Sequence, residues 1–278
     1  MQFPSIILDP TKKHDAVWLF DCTNGNPNGD PDAENMPRQD YETNHGYVTD
    51  VCLKRKIRNF AEANGESIFV REGSALNDAI KEAAASVGAS KAKPKATEAA
   101  AVMCDRFFDV RNFGAVMSTG ENAGQVRGAW QVMFGQSLDP VSPQSITVTR
   151  CAATDAKEGK DNKTMGRKTF IPYGLYRTAA FFNPGLAEKS GVTSADLELM
   201  YRAMLDCFEF DRSAARGLMA TRSLVVFSHD SRWGNAPAHE LLESVAVARL
   251  VDLPRAFSDY SVSLPDSQEG VTVTVLRG

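Results

Sequence analysis

The chain lacks the residue spacings that most metal, redox and nucleophile chemistry requires. Its five cysteines (Cys22, Cys52, Cys104, Cys151, Cys207) are odd in number and scattered. No C-x-x-C occurs, which excludes a zinc knuckle and a disulfide framework and fits a reducing cytoplasm. The four histidines (His14, His45, His229, His239) lie far apart, with no H-E-x-x-H and no G-x-S-x-G. Gly159 and Gly166 are separated by seven positions and followed by Arg167. A phosphate cradle instead needs Gly, four residues, then Gly-Lys-Ser/Thr. No catalytic residue, metal or cofactor is therefore expected. Mean hydropathy is −0.28. No apolar run approaches a membrane span and no signal-peptide core opens the chain, so a cytoplasmic protein without a membrane partner is expected.

A basic surplus is also missing. Net charge is −4 and the pI about 5.7, which counts against a uniformly nucleic-acid-binding surface. The charge is striped, however. Lys54, Arg55, Lys56 and Arg58 put four cations into five positions, and residues 150–177 carry seven positive and three negative charges. Residues 188–211 are mostly acidic. Such local fields, rather than the total, are what a ligand meets.

What the chain does have begins with an apolar stretch, residues 16–22, hydrophobic on both faces as a central strand would be. It runs into Asn24-Gly25-Asn26-Pro27-Asn28-Gly29-Asp30-Pro31-Asp32. Asn24, Asn26, Asn28 and Gly29 mimic half of a calcium loop, but the acidic twelfth position falls on neutral Asn35. A structural turn of Pro, Gly and Asx residues is the reading. A helix follows, capped by Thr49 or Asp50, with Leu53, Ile57, Phe60 and Ala61 on its packing face and Lys54, Arg55 and Arg58 on another arc. Without an anion alongside, those cations repel one another; a phosphate track removes the conflict.

Farther on, a short strand is expected at residues 5–8 and helices over about 74–86 and 97–108. Residues 124–134 and 145–150 alternate with period two. Residues 153–168 are charged and irregular, and a strand resumes over 170–182, which together read as a long hairpin with a basic tip. Residues 193–210 form the clearest helix, capped by Thr193 or Ser194, with Leu197, Met200, Tyr201, Met204, Leu205 and Phe208 as its buried stripe. A strand over 223–229, a helix over 238–250 and two short strands (260–264, 271–276) end the chain. Without the helical insertion and the hairpin, the order is βαββαβ, the pattern of ferredoxin-like and RRM-like domains. The hairpin's cations, with Met165, Tyr173 and Tyr176, suit a single-stranded RNA, which needs cations for phosphates and apolar groups for unstacked bases.

Several long runs carry a family resemblance. They are the Asn24–Asp32 turn with His45-Gly46-Tyr47-Val48-Thr49-Asp50-Val51-Cys52-Leu53-Lys54-Arg55-Lys56-Ile57-Arg58, then Thr164-Met165-Gly166-Arg167-Lys168 with Pro172-Tyr173-Gly174-Leu175-Tyr176-Arg177. Asp211-Arg212-Ser213-Ala214-Ala215-Arg216-Gly217-Leu218-Met219 and Gly234-Asn235-Ala236-Pro237-Ala238-His239 complete them. Together they resemble the repeated backbone subunit of the type I-C CRISPR surveillance complex, Cascade. The resemblance implies an α+β right-hand-like chain: a ferredoxin-like/RRM-like palm (16–63, 110–150 and 170–278), a helical fingers insertion (about 64–109) and a protruding β-hairpin thumb (about 151–169). It also implies a non-catalytic, antiviral role. Copies would assemble head to tail along CRISPR guide RNA (crRNA), kink it at intervals and present it for pairing with target DNA. The partners would be the guide, further copies and the other Cascade subunits. Carried onto this chain, the RNA-binding residues would be Lys54, Arg55, Arg58, Arg150, Met165, Arg167, Lys168, Tyr173, Arg177 and Arg216, with Met165 wedging beside a displaced base. The alternative is a metal-dependent RNA endonuclease on the same fold, with Asp30, Asp32 and His229 as candidates.

Overall fold

The computed structural model describes residues 2–89, 95–118, 122–149 and 165–277. It is an α+β fold built on one antiparallel sheet. The first part of the chain contributes β1 (His14–Gly25), β2 (Gly29–Asp30), β3 (Met36–Pro37), β4 (His45–Val48) and α1 (Asp50–Ala63). Helices α2 (Leu76–Ser86), α3 (Ala96–Arg106) and α4 (Phe108–Phe113) follow, then strands β5 (Gly114–Val116), β6 (Gln125–Arg127), β7 (Trp130–Val132), β8 (Gly135–Pro140), β9 (Gln144–Thr149) and β10 (Met165–Phe182). The last third supplies α5 (Pro184–Ser190), α6 (Ser194–Phe210), β11 (Leu218–His229), α7 (Ala238–Ser244), β12 (Ala246–Arg249), β13 (Tyr260–Ser263) and β14 (Val271–Arg277).

The main sheet runs β14-β11-β1-β10-β8-β4, with β7 beside β8 along β10. Both of β1's neighbours are antiparallel to it. This is the order that βαββαβ connectivity produces when β1, α1, β7–β8, β10, α6 and β11 are taken in turn. Alternation along β1 explains its two apolar faces. Trp18, Phe20 and Cys22 pack with Leu53 and Ile57 of α1 and Met200, Met204 and Phe208 of α6. Val17 and Leu19 join a second core with Tyr173, Leu175, Val225, Leu241, Val245 and Tyr260. The sheet is thus covered on both faces, by helices on one and by the segment around α7, β12 and β13 on the other. A third, smaller core of Phe69, Ile80, Met103, Phe107 and Val110 serves α2, α3 and α4.

Several sequence expectations shift. Residues 5–8 form a 3-10 turn rather than a strand, with Ile7 buried under the sheet. The 97–108 helix stops at Arg106 because Phe107 is extended before α4 begins. The 124–134 strand splits into β6 and β7 at Gly128, whose backbone abuts Phe113 so closely that a Cβ would lie 2.2 Å from its carbonyl carbon. The 238–250 helix ends at Ser244. Beyond it, alternating Ala246, Val247 and Ala248 pair as β12 with β13, where β-branched residues fit a pleated surface. The 223–229 strand starts earlier, at Leu218.

Candidate nucleic-acid interface

One end of the sheet gathers four pieces of chain. There β1 ends at Gly25 and β11 begins at Leu218, opposite Thr23. β10 enters the sheet at Ile171, opposite Gly25. The turn at residues 26–37 leads toward α1. Asn28 Oδ1 accepts from both the Thr49 N–H and the Thr49 hydroxyl, each at 2.9 Å. Thr49 Oγ1 in turn accepts from the Cys52 N–H, so the turn and the helix cap are one structure. The turn is stitched internally by Asn26 Nδ2 donating to the Asn35 carbonyl at 2.7 Å. Asp30 accepts from the Asp32 N–H and faces Arg38 at 3.3 Å, the behaviour of a turn-former.

The loop at 211–217 closes the other side. Lys56, buried in α1, donates to Asp211 Oδ2 at 2.8 Å. Burial opposes the Asp211 charge, but the Lys56 ammonium outweighs it and the carboxyl is held below its ordinary pKa. Arg216 Nη1 donates to the Pro27 carbonyl at 3.1 Å, and the Asn26 N–H donates to the Ala215 carbonyl. Gly217 sits at φ +63°, and a Cβ there would lie 2.4 Å from the Thr23 carbonyl oxygen. Only glycine permits both the left-handed backbone and that approach. Lys56 and Asp211 are the pair that the sequence reading did not single out. An unbroken run of cations on a helix hides which one turns inward.

Arg55 has no hydrogen-bond or ion-pair partner among the described residues and is half-exposed. It lies between Cys52, which contacts Pro27 and Arg216, and Asn59, which hydrogen-bonds Asp211. Residues three and four apart share a helix face, so Arg55 lies on the arc bordered by the turn and the 211–217 loop. Lys54 is beside it, paired with Asp50 one turn earlier at 2.8 Å.

The hairpin of β9 and β10 leaves the sheet here. Every residue of β9 is exposed, and the pairing runs from Phe170 opposite Gln144 to Met165 opposite Thr149. The Thr169 hydroxyl donates to the Asn35 carbonyl at 2.9 Å, and Arg167 stands 3.7 Å from Glu34, so one hairpin face meets the turn. Met165 lies on that same face by alternation and is 78% exposed. Lys168 points to the opposite face and is half-exposed. Arg150 and the hairpin tip lie outside the described residues.

Three expected contact residues are placed elsewhere. Arg58 is only 8% exposed and its Nε donates to Asp109 Oδ2 at 2.8 Å. Asp109, itself buried, also accepts from the Phe69 and Val70 N–H groups, so Arg58 pins α1 to the helical region after it. Tyr173 is buried in the second core, its hydroxyl donating to Asp21 Oδ2 at 3.1 Å. Burial pushes the Tyr173 phenol well up, and it also raises the Asp21 carboxyl despite the Arg222 guanidinium alongside. Arg177 donates to the Leu242 and Val245 carbonyls, satisfying the C-terminal end of α7. The sheet face on which an RRM stacks bases is occupied by the second core.

Asp30 and Asp32 belong to this end, whereas His229 is buried at the other, beyond the His14–Ser228 pairing. Twelve residues of strand, on the order of 35 Å, separate them. Among the described residues no group of three or more His, Cys, Asp or Glu side chains is placed to hold a metal ion.

The family model described as CRISPR-associated protein Cas7 matches residues 12–265. A curated protein of Haloferax volcanii called CRISPR-associated protein Cas7 is 30% identical over 218 residues, covering 69% of this chain and 64% of the relative. The chain therefore spans less than two thirds of that relative's length. A chain from a solved structure described as "CRISPR RNA-guided surveillance complex, pre-nicking" superposes with a TM-score of 0.55 at 14% identity. The match covers 81% of this chain and 79% of the other. At that identity the likeness concerns the fold.

Proposed function

Because this chain belongs to the CRISPR-associated Cas7 family, we propose that it is the repeated guide-RNA-binding subunit of a Cascade-type surveillance complex, of the I-C subtype, acting in the cytoplasm without catalysis of its own. Copies pack head to tail along the crRNA, kink it, and present it to target DNA alongside the other Cascade subunits. The main sheet with α1 and α6 is the palm, the α2–α4 region the fingers, and residues about 151–169 the thumb.

The observation that carries this reading is the convergence, at one end of the sheet, of an Arg55 without a partner among the described residues, the Arg216 loop, the Asn-rich turn and a protruding hairpin. Arg55 is the principal phosphate contact from the palm, supported by Lys54 and flanked by Arg216. Arg167 and Lys168 line the hairpin, Arg150 is a further contact on the family resemblance alone, and Met165 is the wedge beside a displaced base. Arg58, Tyr173 and Arg177 hold the frame rather than the guide.

Phosphate contacts make binding salt-dependent and largely indifferent to sequence, each contact to a single strand adding roughly 0.7 to the log–log salt slope. Purified protein titrated with guide RNA at several salt concentrations tests this. Arg55→Glu lowers affinity at every RNA sequence and flattens the salt slope. Unchanged affinity and slope in that variant would remove Arg55 from the interface and the reading with it.

A further inference from the structure

The block at residues 234–239, prominent in the sequence, shapes the end of the sheet opposite the Arg55 arc. The Asn235 N–H donates to His229 Nδ1 at 2.9 Å, and Asn235 Oδ1 accepts from the Ser231 N–H at 2.8 Å. His229 therefore carries its proton on Nε2, which donates to the buried Asp15 carboxylate at 3.0 Å. Gly234 turns the chain at φ +96°. This braced turn holds Trp233 85% exposed, with the Arg232 guanidinium 5.7 Å from its ring centre. Trp233 borders a cavity of about 320 Å³ whose charged lining is Lys13, Arg127 and Arg232 against the single carboxylate of Asp15.

A tryptophan with an arginine beside a cavity is the composition of an interface hot spot. A phosphate track fits less well, since Lys13 is paired with Asp15, Arg232 with Glu188 and neighbouring Lys12 with Asp230. Arg127 alone of these has no partner among the described residues. The complementary surface is on this chain. Residues 30–44, at the guide-facing end, hold Asp30, Asp32, Glu34, Asp40 and Glu42 against one arginine, Arg38. Among them Tyr41 is the strongly exposed large hydrophobic side chain, at 82%. Trp233 and Tyr41 are the two most exposed aromatic side chains among the described residues, and they lie at opposite ends of β1. A heterologous contact needs two different, complementary patches on opposite ends of one protomer.

We propose that the Trp233 cavity, through Arg127, its one cation without a partner among the described residues, receives the turn around Tyr41 and Glu42 of the next copy, so that this contact sets the head-to-tail spacing. The proposal rests on the head-to-tail reading above. The test compares an RNA that seats one copy with an RNA that seats several, by fluorescence anisotropy and mass photometry. Trp233→Ala with Arg127→Glu, and separately Tyr41→Ala with Glu42→Lys, keep one-copy affinity within about twofold but weaken multi-copy loading by about thirtyfold or more, equivalent to one lost hot spot. Combining Arg127→Glu with Glu42→Arg in one chain restores part of the loading, an outcome that misfolding would not produce. Wild-type-like multi-copy loading in both variants overturns the contact. Loss of one-copy affinity in Trp233→Ala with Arg127→Glu, with melting unchanged, overturns it in favour of a nucleic-acid site at the cavity. Should the wild-type protein load a single copy on the long RNA, the head-to-tail reading itself fails, whatever the variants do.

Discussion

Replacing Arg58 separates a structural cation from a ligand-facing one on the same helix. In Arg58→Met the Asp109 carboxylate, buried and 2.8 Å from the guanidinium, loses its counter-charge while remaining out of water. Breaking a buried pair by removing one partner costs about 3–5 kcal/mol. The Phe69 and Val70 N–H groups still donate to Asp109, which places the expected loss near the lower figure, about 3 kcal/mol. The methionine retains most of the apolar contact with Phe113, whose ring lies 5.2 Å from the guanidinium. In urea, with a slope of about 3 kcal/mol per molar, such a loss moves the midpoint down by about 1 M. Adding Asp109→Asn removes the stranded charge and keeps an oxygen acceptor, so the double variant is more stable than Arg58→Met alone, a coupling that a double-mutant cycle reads directly. Arg55→Glu, by contrast, leaves the midpoint within about 0.2 M, as exposed substitutions do. The reasoning is refuted if Arg58→Met melts like the wild type and loses guide affinity as steeply as Arg55→Glu.

Other expected outcomes follow from the same contacts. His14 is buried, its Nε2–H donating to the Asp9 carbonyl while Ser228 donates to Nδ1, and burial lowers its pKa to about 4. A lowered histidine pKa means that the unfolded chain binds the proton more readily. Stability from His14 is complete above about pH 6.5 and is lost as pH falls toward 4, by up to about 3 kcal/mol; urea titrations at pH 7 and pH 4.5 measure it, and His14→Gln flattens the trend. Asp15 adds acid sensitivity lower down: burial raises its pKa, but the His229 and Lys13 hydrogen bonds prevail and hold it below the ordinary value, so its contribution fades below about pH 4. Gly217→Ala places a Cβ 2.4 Å from the Thr23 carbonyl in a left-handed conformation and costs about 1–3 kcal/mol, with weaker guide binding as Arg216 shifts. Lys56→Met frees the 211–217 loop, seen as faster tryptic cleavage after Arg212 and Arg216.

The elements that repeat a period were legible in the sequence. The two apolar faces of β1, the stripe of α6 and the cap of α1 all emerge from alternation and spacing, and they are the ones that carry the sheet order. Capping at Thr193 is likewise readable, since its hydroxyl and Asp196 exchange hydrogen bonds across the first turn of α6. The errors fall where a distant contact overrides a local pattern. The helix expected over 238–250 ends early because Arg177, far away in sequence, takes up its terminal carbonyls. The strand expected over 124–134 breaks because Gly128 meets Phe113. Within the cationic run of α1, helical phase alone does not tell which side chain finds an acid. Lys56 and Arg58 do, through Asp211 and Asp109, while Arg55 does not.

That division bears on how a strand of RNA can be held. A ferredoxin-like sheet with one open face can stack bases on exposed aromatics. Here Tyr173, Tyr176 and Tyr260 are all buried, and the face that an RRM exposes is sealed by Leu241, Val245 and their neighbours. That sheet face therefore offers no stacking surface, and on the proposed reading a bound strand crosses the sheet's end, where backbone groups and the Arg55 cation are presented. Contacts of that kind grip phosphates and ignore base identity, as the proposed role of holding guides of differing sequence requires. Among the described residues of the hairpin, Met165 is the most exposed large apolar side chain, ahead of Ile146 and Val148, so on the proposed reading it is the residue that acts on a base, by displacement. Met165→Ala should accordingly preserve phosphate-driven affinity while abolishing the periodic reactivity of flipped bases to chemical probes. Retained periodicity in that variant would mean that residues nearer the hairpin tip perform the displacement.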